Sequence, residues 1–211
     1  MPVKGSEEHF LPLARPDIQE TDIQAVVNVL RSGMLVQGEH VMQLEKKLSA
    51  ICQVEHAVAA SNGTATLHLA LKTLGIGLHD EVIVPAFSYI ATANAIELTG
   101  ATPVFVDIDL KTFNIQADQI ERVITPRCKA ILPVHEFGMA CDIETICAVA
   151  DAYNLYVIED AACALGARYR DKPVGSFGDV GSFSLHPRKS ITAGEGGVLV
   201  TNDHQLATKF R

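Results

Sequence analysis

Short apolar runs that alternate with helical patterns constrain this chain more than any other feature. HAVAA (56–60), EVIVP (81–85), TPVFVD (102–107), KAILPV (129–134) and YVIED (156–160) read as strands, and GSFSL (181–185) and GGVLVT (196–201) as two more. These runs are apolar throughout instead of alternating with polar residues. Strands of that kind are buried on both faces, as in parallel sheets covered by helices. The stretches between them supply the helices. SNGTA (61–65) is a turn that opens a helix through about Leu74, and helical runs follow near 89–98, from Ala117 to about Ile124, and over 142–153. Two helices come first. Ile23, Val26, Val27 and Leu30 recur at helical spacing ahead of a Ser32-Gly33 stop, and Val41, Leu44, Leu48 and Ile51 form a second apolar stripe. The pattern predicts an α/β fold: a three-layer α/β/α sandwich with a mainly parallel sheet.

Composition narrows the function classes. The 211 residues are 48% hydrophobic and 20% charged, enough to bury a real core. A net charge of −8 and the lack of a dense Lys/Arg stripe argue against a nucleic-acid partner. No apolar run reaches the length of a membrane span, on the order of 18 residues. The opening MPVKGSEEHF lacks a leader's apolar core. Five cysteines (52, 128, 141, 147, 163) are odd in number and scattered, with no CxxC pair and no zinc-like spacing. They read as reduced thiols of a cytoplasmic protein, mostly core-packed, and no metal site is expected; Cys163 is set apart below. A last helical segment starts near His204 and the sequence ends at Arg211. So early an end to a helix leads us to expect a fragment or a truncated product.

In open parallel sheets, ligands bind beyond the carboxyl ends of the strands. After HAVAA, Ser61-Asn62-Gly63-Thr64-Ala65 puts a glycine turn at a helix start, where free N–H groups and the helix dipole suit a phosphate. Read alone, it is better taken as an ordinary Asn-Gly turn with a cap. After EVIVP come Phe87, Ser88 and Tyr89, of which an aromatic either stacks on a flat ring or packs in the core. Asp160 ends an apolar strand, where a carboxylate needs a partner: a protonated ring nitrogen, or the next turn, which it would cap. After GSFSL come His186-Pro187-Arg188-Lys189 and then Gly194-Glu195-Gly196-Gly197. A lysine there is either a nucleophile inside a cleft or part of a basic surface loop. His135, after KAILPV, either approaches a ligand or is a hydrogen-bonded neighbour. Jointly the set matches what pyridoxal phosphate (PLP) requires: a phosphate cradle, a stacking aromatic, a carboxylate for the ring nitrogen and an amine for the aldehyde.

The stretches GMLVQGEHVMQLEKKLSA, SNGTATLHLAL, DEVIVPAFSYIATANAI, TPVFVDID, ILPVHEFGMACDI, IEDAACALGARY and VGSFGDVGSFSLHPRKSITAGEGGVLVTND resemble, in order, the DegT/StrS-type family of PLP-dependent sugar-nucleotide aminotransferases. The resemblance implies the large domain of a type I PLP aminotransferase, here incomplete. Residues 1–211 would be an N-terminal segment plus that domain, without the small C-terminal domain. It implies that Lys189 forms a Schiff base with the cofactor and shuttles a proton, that Asp160 pairs with the pyridinium nitrogen, and that Tyr89 stacks on the ring. Gly63, Thr64 and Ser184 would hold the phosphate. Lys189 favours the aminotransferase branch over the family's sugar dehydratases, which carry His there. Cys163 stands where members often have Gln or His against the cofactor's phenolic oxygen, and a thiol donates more weakly. The implied substrates are a nucleotide-linked keto-sugar and an amino-acid donor, glutamate by resemblance, in amino-sugar or polysaccharide biosynthesis, by a homodimer when full length. The alternatives are a truncated, non-catalytic remnant and another type I PLP enzyme, such as a cysteine desulfurase. A regulatory DNA-binding role lacks a helix-turn-helix pattern or a basic patch.

Overall fold

The computed structural model describes residue 12 and residues 14–211. The stretch MPVKGSEEHF lies outside the described residues. Helices α1 (Glu20–Ser32) and α2 (Glu39–Cys52) come first. Then follow β1 (His56–Ala60), α3 (Gly63–Thr73), β2 (Glu81–Pro85), α4 (Ala91–Glu97), β3 (Thr102–Val106) and β4 (Cys128–Ile131). The chain continues through α5 (Ile143–Tyr153), β5 (Tyr156–Asp160), a small hairpin of β6 (Arg168–Tyr169) and β7 (Lys172–Pro173), β8 (Val180–Ser184), β9 (Gly197–Thr201) and α6 (His204–Phe210).

The main sheet has 7 strands in the order β1-β9-β8-β5-β4-β2-β3. The pairs β2–β3, β2–β4, β4–β5 and β5–β8 are parallel, so the sheet is mainly parallel, as the apolar runs predict. β9 runs against both of its neighbours. The loop from β8 to β9 carries no helix to act as a crossover, so the chain doubles back beside β8. β1, antiparallel to β9, therefore points the same way as β8. All strands but β9 thus end on one edge of the sheet.

Strand periodicity divides the core. Val82 and Val84 face one side with Leu67, Leu71, Ala95, Ile96 and Phe210 of α3, α4 and α6. Ile83 faces the other side, with Ile143, Ile146 and Ala150 of α5. On the same side, farther along the sheet, Val198 and Val200 pack on Leu48 and Cys52 of α2, whereas Leu199 between them belongs to the first side. Each central strand is thus apolar on both faces because helices lie on both.

Three details depart from the sequence reading. Residues 117–123 form a 3-10 turn, not an α-helix. The strand read through 134 ends at Ile131, because Pro133 has no N–H to give the ladder; its carbonyl still accepts from Asp160 N at 2.9 Å, and an isolated bridge joins Val134 to Asp160. The stripe on α1 is the third: no residue of α1 is buried, and Ile23, Val26 and Leu30 are exposed. Among the described residues no helix is long and apolar enough to cross a membrane.

At Gly197 close approach demands glycine. A Cβ at Gly197, the first residue of β9, would run into the backbone carbonyl of Asn62 and lie 2.9 Å from Gly63 N. Backbone on both sides cannot yield as a side chain can. Gly197→Ala is expected to cost about 1–3 kcal/mol in urea unfolding, the range for forced overpacking. An unchanged midpoint would show that the β9 start and the α3 turn are not in that contact.

Candidate active site

The residues singled out in the sequence gather at the carboxyl ends of β1, β2, β5 and β8. The first group is the start of α3. Asn62 caps the helix, its side chain accepting from Ala65 N at 2.8 Å. The Thr66 hydroxyl lies 2.7 Å from the Ser182 hydroxyl, which ties α3 to β8. A Cβ at Gly63 would lie 3.0 Å from Ser184 Cβ and 3.4 Å from its Oγ. Gly63 and Ser184 therefore face each other across a gap that only glycine leaves open. At the start of a helix the first N–H groups have no intrahelical acceptor. Those of Gly63 and Thr64 have no other acceptor among the described residues.

The second group surrounds Asp160, the last residue of β5. Asp160 is buried. Its Oδ2 accepts from the Thr92 hydroxyl at 2.9 Å and its Oδ1 from Ala162 N at 3.1 Å. Thr92, on α4, is in turn 2.7 Å from the Ser88 hydroxyl. Burial pushes the Asp160 carboxyl above its ordinary range; these two donors and the charge of Lys189 pull it back part of the way. Lys189 is half-buried in the loop after β8, and its Nζ lies 2.9 Å from Cys163 Sγ. No carboxylate of the described residues pairs with it. Cys163 is exposed, whereas Cys52, Cys128 and Cys141 are buried, and burial drives the Cys52 and Cys147 thiols up to about 12.

Tyr89 stands at the same edge but is 77% exposed and lies over no other ring. His135 does not reach the cleft. It is fully buried, its Nδ1 accepting from Cys141 N at 3.2 Å, so the opposite nitrogen carries the hydrogen and donates to Glu159 at 2.9 Å. Of the two readings offered for His135, the hydrogen-bonded neighbour is the one observed.

Sequence reasoning passed over three residues. Thr92 had a faint signal: a hydroxyl at the start of the helix after Tyr89, beyond a strand end on the sheet edge where Asp160 also lies. Glu159 had a signal too, since two adjacent carboxylates ending an apolar strand must face opposite ways. Glu136 had none. It is 8% exposed, its backbone N–H donates to Asn114 Oδ1 at 2.9 Å, and no described residue donates to its carboxylate. Burial, and next the charge of Asp160, raise its carboxyl above the ordinary range, while Lys189 opposes them.

Residues 16–211 match the DegT/DnrJ/EryC1/StrS aminotransferase family. The chain is 53% identical over 174 residues to the GDP-perosamine synthase of Caulobacter vibrioides, covering 82% of this chain and 47% of that protein. Its fold is similar to the crystal structure of the aminotransferase from Psychrobacter cryohalolentis, with a TM-score of 0.91 and 41% identity over 95% of this chain and 51% of that one. It is likewise similar to Spr1654 of Streptococcus pneumoniae, solved in a PLP form, with a TM-score of 0.89 and 36% identity over 95% of this chain and 56% of that one. The chain spans about half the length of the curated relatives it matches.

The raised Asp160 carboxyl has a consequence for stability. A group with a raised folded-state pKa contributes stability that is fully present below its unfolded value and is lost as pH rises through the folded one. In the ligand-free chain, Asp160→Asn is therefore expected to raise Tm near pH 8, with the gap to wild type closing as pH falls toward about 4. A wild type more stable than the Asn variant at pH 8 would show that Asp160 is already well paired.

Proposed function

The chain belongs to the DegT/DnrJ/EryC1/StrS aminotransferase family, and on that premise we propose that it carries the cofactor-binding site of a PLP-dependent aminotransferase acting on a nucleotide-linked keto-sugar, with an amino acid, glutamate by resemblance, as donor. The observation that carries this reading is the Lys189 amine, half-buried and without a carboxylate partner, on the same sheet edge as the buried carboxylate of Asp160.

The residues fit the cofactor. Gly63 and Thr64 offer free N–H groups at the positive end of α3, and Ser184 faces Gly63 across the open gap, which suits a phosphate dianion. Asp160 is a buried anion whose most natural partner is a protonated nitrogen. PLP, when bound, supplies an aldehyde that exchanges amines and a ring that draws electrons from the substrate carbon. The chain's part is positioning and proton transfer. Asp160, steadied by Thr92 and Ala162 N–H, holds the ring-nitrogen proton in place. Lys189 Nζ takes a proton from the substrate carbon and returns it. Tyr89, exposed at the edge of the cleft, is the residue we assign to the ring face, and Cys163, beside Lys189 Nζ, would contribute only a weak S–H donor.

The substrate class follows the name of the Caulobacter relative, a GDP-sugar enzyme. On this reading the described residues form the large domain together with its N-terminal segment. A cytoplasmic homodimer is the finer part of the proposal and rests on the family resemblance alone.

The test is an absorbance spectrum of the purified chain with PLP, beside Lys189→Ala. We expect a band near the visible edge that depends on Lys189 and that glutamate shifts. A band that survives the Ala substitution would overturn the assignment of Lys189. If no band forms at all, these residues alone do not build the site.

A further inference from the structure

The cleft holds a second carboxyl, Glu136, that the proposed function does not use. It lies in the turn after β4, at the sheet edge that also carries Asp160 and Lys189. Phe137 (φ 52°) and Gly138 (φ 84°) reverse the chain there, so that Glu136 turns inward at 8% exposure while Phe137 stands out at 68%. Gly138 lies close under the segment after β5: a Cβ there would be 3.3 Å from the Cys163 carbonyl. The turn that carries Glu136 is thus packed against the segment that carries Cys163.

Glu136 as a residue is 8% exposed, and its carboxylate accepts no hydrogen bond from any described residue. Its oxygens are not sealed off, because the one side-chain polar atom both fully enclosed and unpartnered among the described residues is His56 Nε2. They feel the charges of Asp160 and Lys189, which stand at the same sheet edge. The ionisable groups around it are Asp160 from β5, Lys189 from the loop after β8, Cys163 from the segment between them, and His135 beside it in its own turn. His135 is committed to Glu159. Two carboxylates in one poorly solvated space do not both ionise freely. Asp160 has two donors and Glu136 has none, so Asp160 ionises first. A proton shared between the two would then rest on Glu136, the carboxyl without donors. Environments that separate two carboxyls in this way assign one as anion and the other as acid.

We propose that Glu136 is a proton-bearing donor of the cleft, a neutral carboxyl that gives a hydrogen bond to an acceptor atom of the cofactor bound beside Lys189. The proposal rests on the PLP reading for its ligand, but not for its proton. No bond other than the hydrogen bond forms, and nothing is oxidised or reduced. The side chain nearest Lys189 Nζ, Cys163, is a weak donor. Glu136 is the stronger one within the same space.

Two readouts test this. In the ligand-free chain with carbon-13-labelled glutamate, one carboxyl resonance that disappears in Glu136→Gln should titrate above the ordinary range, about 4.3. Titration in or below that range overturns the proposal. In the PLP-bound chain, the cofactor's absorbance and fluorescence should change over the same pH interval. Glu136→Gln, whose amide is a permanent donor, should keep the low-pH spectrum throughout, and Glu136→Ala the high-pH one. Identical spectra for the two variants overturn the donor role. The outcomes separate the two readings. A wild type with no Lys189-dependent band sinks the cofactor reading and with it the ligand named here, whereas an ordinary Glu136 titration beside a normal band sinks this proposal alone.

Discussion

The buried carboxylate of Glu159 is the contact from which the site takes its shape. It accepts N–H bonds from Gly175 at 2.7 Å, Phe177 at 2.7 Å and Gly178 at 2.8 Å, and a fourth from His135 at 2.9 Å. A charge with no exposure is tolerated only when nearly every lone pair is used, because removing a partner leaves a cost of several kcal/mol, of order 3–5. The four donors come from the loop ahead of β8 and from the turn after β4. Glu159 therefore ties β5 at one point to the turn after β4 and to the loop that leads into β8. In a strand, adjacent residues face opposite ways. With Glu159 held on one side, Asp160 must face the other, where Thr92 of α4 receives it. The orientation of the candidate anion is thus set by a residue that never enters the cleft.

The cleft itself is built against stability. Asp160 is a buried carboxylate with two donors where Glu159 has four, and Glu136 has none. The first amides of α3 are left without acceptors, although the neighbouring N–H of Ala65 is capped. Each of these groups would be better satisfied by a ligand that brings an anion to α3 and a cation or acceptor to the carboxyls. Unmet polar groups at one edge of an otherwise well-paired sheet are what a preorganised binding site costs the folded chain.

Most of the architecture was legible because central strands and covering helices leave strong periodic marks. EVIVP and YVIED match β2 and β5 residue for residue. The direction of β9 was not legible, since GGVLVT is as apolar as a parallel strand and only its short connection to β8 decides its sense. At the site, Asp160, Lys189 and Gly63 were singled out because each ends or closely follows an apolar strand, whereas Ser184 came from the family resemblance alone. Glu136 also follows one, in the turn after KAILPV, but the sequence carries no sign of which way a loop side chain turns. That depends on the reversal at Phe137 and Gly138. The α1 period marked a helix correctly, but a period cannot say whether its apolar stripe is covered, and among the described residues nothing covers it.

That reversal is where local preference and fold disagree most. A bulky residue in the left-handed region costs on the order of 1 kcal/mol, and both Phe137 and Phe113 (φ 60°) adopt it. Their rings meet each other at 5.7 Å and Phe87 at 6.1 and 5.6 Å, forming a three-ring cluster just beyond β2, β3 and β4. Aromatic contacts at such separations are worth about 0.5–1.5 kcal/mol each. Three of them, about 1.5–4.5 kcal/mol, are of the same size as the strain of two left-handed residues, about 2–4 kcal/mol. The cluster therefore holds the backbone in a conformation it would otherwise leave, and that conformation sends Glu136 inward. Asp160 is aimed by hydrogen bonds, through Glu159 on the far face of its own strand. Glu136 is aimed by hydrophobic contact, through rings on the outer side of its own turn. Glu159 also holds that turn, through His135, so the two carboxyls share one anchor while Glu136 depends on the ring cluster besides.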